Sequence, residues 1–154
     1  MKLALYRSQD LLQMVRLFDR TVHTVNAADY TPEQLDAWSD GHPDLERWDR
    51  SLQAHHTLLA WEGDELLGFA DMDADGYLDR LYVSADHQHC GVATALCDAL
   101  EGACTASCFT THASITAKLF FLRRGYRVLY PQQVERHGVE MTNFVMQKDT
   151  SKTD

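Results

Sequence analysis

The chain has 154 residues, of which 45% are hydrophobic and 24% are charged, and this length and composition suit one globular domain. No window approaches the roughly 20 apolar residues of a membrane span, and residues 1–12 lack the long apolar stretch of a secretory signal. The formal net charge of −9 repels phosphate backbones and attracts cations. We therefore expect a cytoplasmic protein with no membrane or nucleic-acid partner. The acidic charge favours a cationic acceptor such as a protonated amine, although a surface that only keeps the protein soluble has the same charge.

One strand and three helices are predicted in the N-terminal third. Residues 2–7 alternate apolar and polar side chains, as a strand does, and apolar residues recur at helical spacing over residues 11–25. The segment Thr31-Pro32-Glu33-Gln34 is a helix start with a capping box and with proline at the first helical position. Asp44 follows a Gly-His-Pro break and predicts a cap for a third, short helix.

The middle of the chain predicts an antiparallel meander. Strand-like runs cover residues 57–61, 66–72 and 77–83, and the acidic, glycine-containing segments 62–65 and 73–76 between them form turns. An apolar stripe at helical spacing then begins at Gly91.

The C-terminal third predicts two more units of sheet and helix. A weak strand at residues 108–111 precedes a helix at 115–124, and strands are expected at 126–130 and 140–147, with a loop between them. The order β α α α β β β α β α β β fits an α+β sheet covered by helices.

Residues 78–93 carry the clearest functional pattern. They comprise a strand, a short turn and the start of an amphipathic helix, with Gly91 and Ala93 leaving little side chain at the turn. Backbone N–H groups at such a helix start point outward, and they form an anion site that suits a pyrophosphate.

Here the sequence resembles the GNAT superfamily, whose signature is Gln or Arg, two residues, Gly, one residue, then Gly or Ala. Gln88-His89-Cys90-Gly91-Val92-Ala93 matches that signature, and residues 114–126 look like a second family block that ends in an aromatic residue after glycine. The resemblance implies a mixed, mainly antiparallel central sheet flanked by helices over residues 1–148. The polar composition of residues 149–154 predicts a disordered tail.

The resemblance also implies an enzyme that transfers an acetyl group from acetyl-CoA, bound as a co-substrate, to an amine by direct attack in a ternary complex. The strand around Leu81 would pair with the pantetheine arm, the turn at Gly91 would cradle the pyrophosphate, and Ser114 would face the coenzyme. The predicted coenzyme-binding residues are Leu81, Tyr82, Val83, Gln88, His89, Cys90, Gly91, Val92, Ala93, Thr94, Ser114 and Phe121.

Phe121 departs from the family pattern. It occupies the position where many members have a tyrosine that protonates the departing thiolate, and phenylalanine has no proton to give. A thiol with a pKa of about 8.5 is a fair leaving group without an acid, so transfer does not require that tyrosine.

Asp79 is the predicted general base, because it precedes the coenzyme strand by two residues and can act through water. The alternative is a structural or solvated carboxylate, since Leu81 and Val83 share its strand face unless a bulge intervenes. For the acceptor pocket, the family resemblance points to the first helical region and the last hairpin. The candidates there are Tyr30, Trp38 and Glu140, with Trp48 and His137 beside them, although tryptophans at helical spacing also suit a core.

Two further patterns suggest metal sites and are set aside. Asp71 to Asp79 matches the first nine positions of an EF-hand loop, but the twelfth position is Tyr82 and the flanks are strand-like, so Asp75-Gly76 is interpreted as a hairpin turn. The cysteines are predicted to be reduced thiols without a metal, since neither they nor the two histidines next to them complete a ligand set. They are Cys90, Cys97, Cys104 and Cys108, and the histidines are His87 and His89.

Two alternatives differ in function class. A nucleotide-binding loop at Gly91 fails, because no Lys-Ser or Lys-Thr pair follows it. A catalytically weak acyl-CoA sensor or protein-interaction module remains open, because Phe121 cannot act as the acid. A homodimer is also left open.

Overall fold

The computed structural model describes residues 1–150 as a seven-stranded sheet with helices on both faces. The strands are β1 (Lys2–Leu5), β2 (His56–Glu62), β3 (Glu65–Met72), β4 (Tyr77–Val83), β5 (Cys108–Ser114), β6 (Arg127–Arg136) and β7 (Val139–Asp149). The helices are α1 (Leu11–Thr24), α2 (Pro32–Trp38), α3 (Leu45–Ala54), α4 (Val92–Ala103) and α5 (Lys118–Arg123). The predicted order of elements and the α+β class are confirmed.

The strands lie in the order β1-β2-β3-β4-β5-β7-β6. Only the β4–β5 pair is parallel, and the other neighbours are antiparallel. One core packs α4 and α5 against one face of the sheet, and a second core packs α1, α2 and α3 against the other. Within the described residues, no helix is both long and apolar enough to cross a membrane.

The predicted starts of α2 and α3 are confirmed by their hydrogen bonds. The Thr31 hydroxyl accepts from the Gln34 N–H at 3.2 Å, and the Gln34 amide oxygen accepts from the Thr31 N–H at 2.9 Å. At the start of α3, the Asp44 carboxylate accepts from the Arg47 N–H at 3.1 Å. These bonds satisfy N–H groups that the first turn of a helix leaves free.

The acidic segment after β3 is a hairpin turn, as predicted, and it lacks the flanking helices of an EF-hand. The Asp73 carboxylate accepts from the N–H groups of Asp75 at 2.9 Å and Tyr77 at 3.0 Å. Gly76 has φ +90°, and a Cβ there would lie 2.5 Å from the Cys108 carbonyl oxygen. The turn therefore requires glycine for both its conformation and its space.

Three predicted boundaries in the C-terminal third were wrong. Helix α5 begins at Lys118, not at residue 115, because the Ser114 hydroxyl accepts from the Ala117 N–H at 3.0 Å and closes a turn first. Strand β5 continues to Ser114, since it pairs with β7 throughout. Strand β6 runs through Pro131 to Arg136, because it is an edge strand, where proline is tolerated.

The predicted tail at 149–154 is described only in part. Asp149 is the last residue of β7, and the Thr150 N–H donates to the Ser107 carbonyl at 3.0 Å. Residues 151–154 lie outside the described residues.

Glu101, near the end of α4, joins that helix to the C-terminal strands. It accepts hydrogen bonds from Arg124 Nε at 3.2 Å, Arg124 Nη2 at 2.9 Å, Tyr126 Oη at 2.8 Å and Lys148 Nζ at 2.8 Å. Burial alone would raise the pKa of Glu101, but the hydrogen bonds from Arg124, Lys148 and Tyr126 lower it on balance. The network therefore stabilises the charged carboxylate between α4 and the sheet.

We expect Glu101→Ala to lower the free energy of unfolding by about 3–5 kcal/mol, because the Arg124 guanidinium loses its buried partner. The folded-state pKa of Glu101 lies below its unfolded-state value. Its contribution is therefore complete above the unfolded-state pKa and is lost as pH falls through the folded-state pKa. Urea denaturation of both proteins at neutral and acid pH measures this difference.

Glu46→Ala is the matched control, since it removes an exposed carboxylate paired with Arg50 and should change stability little. A stability difference for Glu101→Ala that is as large at acid pH as at neutral pH would contradict the assigned charge.

Candidate active site

The sheet opens between its two parallel strands. Strands β4 and β5 pair only at Tyr77 with Thr110 and at Leu78 with Thr111, and beyond these pairs they diverge. The Val83 carbonyl at the end of β4 accepts from other elements, from the Thr21 hydroxyl of α1 at 3.1 Å and the Gln88 side-chain amide at 2.8 Å. Because the second half of β4 does not pair with β5, its edge toward β5 is free. We call the space between the two diverging strands the β4–β5 gap.

A cavity of about 880 Å³ passes through the β4–β5 gap, a volume within the range of small-molecule sites. On the α4 side it is lined by β4, the turn before α4, and α5. On the other side it reaches the end of α1 and Trp38 of α2. One cavity thus connects both faces of the sheet, so two ligands can approach each other from opposite sides.

The start of α4 forms one wall of this cavity. Gly91 is its N-cap residue with φ +84°, and the preceding His89 has φ +60°. Within residues 1–150 no side chain caps this helix, so its first N–H groups are free to bind a ligand. Such a helix end favours an anion.

All the predicted coenzyme-binding residues except Cys90 line the cavity. The Cys90 thiol is exposed and donates to the Gln88 carbonyl at 3.4 Å. The side-chain Nε2 of Gln88 donates to the Val83 carbonyl of β4 and is therefore not available to a ligand.

Thr116 was not predicted and belongs to the same wall. It lines the cavity, and its buried hydroxyl oxygen has no hydrogen-bond partner among the described residues. An unpaired buried hydroxyl is costly, so a polar ligand group at this position would stabilise it. The uncapped helix, the free side of β4 and Thr116 together fit an elongated, anionic acyl-CoA.

Phe121 lines the cavity from α5, with only 2% of its surface exposed. Its ring packs edge-on against Phe120 and Tyr126, each with a centroid separation of 5.1 Å. Phe121 therefore contributes an apolar ring, and no hydroxyl, to this wall of the cavity.

Tyr82 was predicted to bind the coenzyme, but its side chain packs in the core on the α1–α3 face of the sheet. Its ring lies 4.9 Å from that of Phe18, and its hydroxyl accepts from the Trp38 indole N–H at 3.3 Å. Burial raises the pKa of Tyr82 to about 12. Tyr82 is therefore a neutral phenol on the side of the cavity opposite α4.

A β-bulge changes the direction of Asp79. Met72 pairs with Leu78 and Asp71 pairs with Arg80, so Asp79 is an extra residue without a partner on β3. Because this bulge intervenes, Asp79 does not share a strand face with Leu81 and Val83, as it would in a regular strand. Its carboxylate instead lies beside Arg80 and lines the cavity.

Asp79 belongs to a charged cluster that the sequence did not predict. Asp71 is fully buried, and its Oδ2 accepts from His55 Nδ1 at 2.7 Å and from Arg80 Nη1 at 2.6 Å. Burial foremost raises the pKa of Asp79; Asp71 acts in the same direction, and Arg80 and His55 oppose it. The sequence signal that could have predicted this cluster is Asp71, a charged residue within the otherwise apolar run of β3.

The three acidic and imidazole groups of this cluster also have ligand atoms within 4.8 Å of one another. However, the Arg80 guanidinium already supplies positive charge at the Asp71 carboxylate. The cysteines are all free thiols in the structure. The expected lack of a metal stays a prediction.

Of the predicted acceptor residues, the structure brings only Trp38 to the cavity. Tyr30 is buried behind the wall, where its hydroxyl donates to the Thr142 carbonyl and accepts from the Ile115 N–H, both at 2.8 Å. Glu140 is exposed, and its carbonyl accepts from Gln34. Trp48 packs against Phe18 in the core, and His137 pairs with Asp40 at 3.7 Å; neither lines the cavity.

Known proteins resemble this chain over nearly its whole length. The family model described as an acetyltransferase (GNAT) domain matches residues 26–148. A relative in Escherichia coli (strain K12), described as an uncharacterized N-acetyltransferase, YafP, is 34% identical over 141 residues, which cover 92% of this chain and 91% of that protein.

Solved structures agree. The crystal structure of a protein described as GCN5-related N-acetyltransferase: aminotransferase, class-II, from Rhodopseudomonas palustris, has a TM-score of 0.91 and 32% identity, covering 96% of this chain and 94% of that one. The PaiA N-acetyltransferase from Thermoplasma acidophilum, solved in complex with coenzyme A, has a TM-score of 0.78 at 16% identity, covering 96% and 98%. This second likeness shows the fold alone.

The sheet that opens between β4 and β5, together with the similarity of the chain to these proteins, identifies an enzyme of the N-acetyltransferase class. The chain belongs to the GNAT acetyltransferase family.

Proposed function

We propose that this protein transfers an acetyl group from acetyl-CoA to an amine by direct attack, with both substrates bound in the cavity of the β4–β5 gap. The observation that carries the proposal is a single cavity that joins an uncapped helix start on one face of the sheet to a carboxylate and aromatic side chains on the other. The PaiA relative's complex with coenzyme A supports a coenzyme in this fold.

The coenzyme would lie on the α4 side. The free N–H groups at Gly91 to Thr94 would hold its pyrophosphate, and the free side of β4 near Leu81 would pair with its pantetheine amides. Ser114 and Thr116 line the same wall. When bound, acetyl-CoA supplies the activated acetyl group.

The acceptor would lie on the other side, between the end of α1 and Trp38. Asp79 would take the proton of the ammonium group, directly or through water, so that the amine nitrogen can attack. Backbone N–H groups of β4 in the gap would stabilise the negative charge that develops on the carbonyl oxygen. The C–S bond would then break, and coenzyme A would leave as a thiolate that takes its proton from water, since Phe121 has none to give. Tyr30 and Glu140 do not reach the cavity, so we assign Tyr30 a supporting role behind the wall.

Direct transfer agrees with the side chains that are present. No cysteine lines the cavity in the described part of the chain, and the Ser114 hydroxyl is engaged with the Ala117 N–H. An acyl-enzyme would require an activated nucleophile. The free cysteines and the expected reduced state fit a reaction in the cytoplasm.

The decisive experiment measures coenzyme A release across a panel of amines. Because the Cys90 thiol is exposed, the released coenzyme A should be separated by chromatography instead of being measured with a thiol dye. An enzyme will show release that depends on one class of amine. Tight coenzyme binding without amine-dependent release would favour the alternative of a sensor or interaction module, for which Phe121 is the supporting feature.

We expect Phe121→Tyr to fold and to preserve or raise turnover, because the family resemblance places this ring beside the coenzyme sulfur. A phenol that reaches the thiolate adds general-acid assistance of up to ~10²-fold, whereas an unpaired buried hydroxyl costs about 1–3 kcal/mol of stability. Turnover as a function of pH and the melting temperature separate these results. Lower stability with an unchanged rate at every pH would show that Phe121 packs away from the sulfur.

A further inference from the structure

The charged cluster beneath the β3–β4 hairpin is built around one fully buried carboxylate. Asp71 lies in the middle of the sheet, and its Oδ2 accepts from His55 Nδ1 at 2.7 Å and from Arg80 Nη1 at 2.6 Å. Burying a carboxylate is unfavourable unless it is paired. Both partners bind the same oxygen, Oδ2, and Arg80 supplies the positive charge that compensates the buried Asp71 carboxylate.

Arg80 is also fixed by residues of α3. Its Nη2 donates to the Ser51 hydroxyl at 3.2 Å, and its guanidinium carbon lies 4.8 Å from the centroid of the Trp48 ring. With these contacts and the Asp71 carboxylate, the guanidinium is held toward β3 and α3. Its position does not depend on Asp79.

Asp79 forms a longer ion pair with this guanidinium than Asp71 does. Arg80 Nη1 lies 3.4 Å from Asp79 Oδ2, compared with 2.6 Å from Asp71 Oδ2. Within residues 1–150 the Asp79 carboxylate accepts no hydrogen bond, and it faces the cavity. The bulge thus places a carboxylate next to a cation that another carboxylate already holds.

We propose that Asp71 is a positioning residue that holds Arg80 back from Asp79, which leaves the Asp79 carboxylate free to take the proton of the acceptor amine. This inference rests on the proposed role of Asp79 as the base. Without Asp71, the guanidinium could form a closer ion pair with Asp79, which would make that carboxylate a poorer base.

Other charged and titratable groups also surround Asp79. Besides burial, the charge of Asp73 in the hairpin turn raises the pKa of Asp79. Besides burial, the pKa values of Tyr77 and Tyr82 on the same strand respond to the charges of Asp79 and Arg136. These groups stay unchanged when Asp71 or His55 is replaced, so such variants isolate the effect of the cluster.

The test is the pKa of the Asp79 carboxyl, measured by 13C NMR titration, together with the pH profile of kcat/KM. Asp71→Asn keeps the side-chain shape, removes a negative charge and releases Arg80, and both changes favour ionised Asp79. We expect the pKa of Asp79 to fall, the acid limb of the profile to move to lower pH, and kcat/KM at neutral pH to fall about tenfold.

His55→Asn is the matched variant. It keeps a hydrogen-bond donor to Asp71 but cannot become protonated, and the hydrogen bond to Asp71 raises the pKa of His55. We therefore expect the pKa of Asp79 to rise in this variant at any pH at which His55 carries a proton. The loss of either charge shifts the pKa of Asp79 by Coulomb interaction alone. The effect of Arg80 is isolated by repeating Asp71→Asn in an Arg80→Gln background, where we expect a smaller fall in the pKa of Asp79. If Asp71→Asn fails to fold, Asp71→Ser takes its place, and an equal fall in the pKa of Asp79 with and without Arg80 overturns the proposal.

The remaining outcomes are also distinct. An Asp79 pKa that is unchanged or higher in folded Asp71→Asn shows that Asp71 does not restrain Arg80, and the inference is wrong. A lower Asp79 pKa with an unmoved acid limb overturns the catalytic part alone. In that case Asp79→Asn should retain its turnover, which identifies the failure as that of the proposed base.

Discussion

Gly91→Glu is expected to lower the affinity for acetyl-CoA by at least ~10²-fold while the protein stays folded. Gly91 is the N-cap residue of α4, has φ +84°, and provides no side chain to bond the first N–H groups of the helix. A Cβ at this position would meet no atom within 4 Å. The glutamate side chain has room but brings a negative charge to the site proposed for the pyrophosphate. Two like charges about 4 Å apart repel by about 4 kcal/mol at an effective dielectric constant of about 20.

Isothermal titration calorimetry with acetyl-CoA measures this loss, and circular dichroism confirms the fold. Gly63→Glu is the matched control, because Gly63 also has a positive φ of +58°, has no atom within 4 Å of an added Cβ, and lies in the β2–β3 turn away from the cavity. It introduces the same charge at another residue with positive φ. Wild-type affinity in folded Gly91→Glu would mean that the coenzyme binds elsewhere.

Asp79→Asn should reduce turnover by about 10²–10⁴-fold without changing the affinity for acetyl-CoA, because a general base contributes about this much. Burial raises the pKa of Asp79, so wild-type activity should fall as the solution pH drops through that raised value. The variant should lose this limb of the profile. Its deficit should shrink at high pH, where solvent deprotonates the amine.

Asp75→Asn is the matched control for this change. Asp75 lies on the same hairpin and is exposed, and its side chain does not line the cavity, so its replacement should leave kcat and KM unchanged. Full turnover in Asp79→Asn across the pH range would exclude Asp79 as the base and would direct attention to His112, which also lines the cavity.

The family and the coenzyme-binding turn could be predicted from the sequence, because their patterns involve residues close together in the chain. The hexapeptide that ends at Ala93 contains the glycine at φ +84° that opens α4, and the capping box at Thr31 uses residues only three positions apart. Such backbone conformations and short-range hydrogen bonds depend on neighbouring residues, so pattern analysis can find them.

The acceptor side was less accessible, because its contacts join distant parts of the chain. Tyr30 was predicted to touch the acceptor, yet its hydroxyl bonds with Ile115, 85 residues away, and with Thr142, 112 residues away. Trp38 and Trp48 have similar sequence signals, but one lines the cavity and the other packs in the core. Helical spacing alone cannot distinguish these two positions.

The sequence by itself determined the element order, the turn at Gly76, the helix start at Gly91 and the lack of a hydroxyl at Phe121, since each is written in adjacent residues. Only the tertiary structure decided where Asp79 points and what surrounds it. One unpaired residue in the β3–β4 register turns its carboxylate toward Arg80, and the partners of Asp71 come from β4 and from the residue that follows α3. Register and ion pairing depend on free energies summed over several packed elements, which no single segment contains.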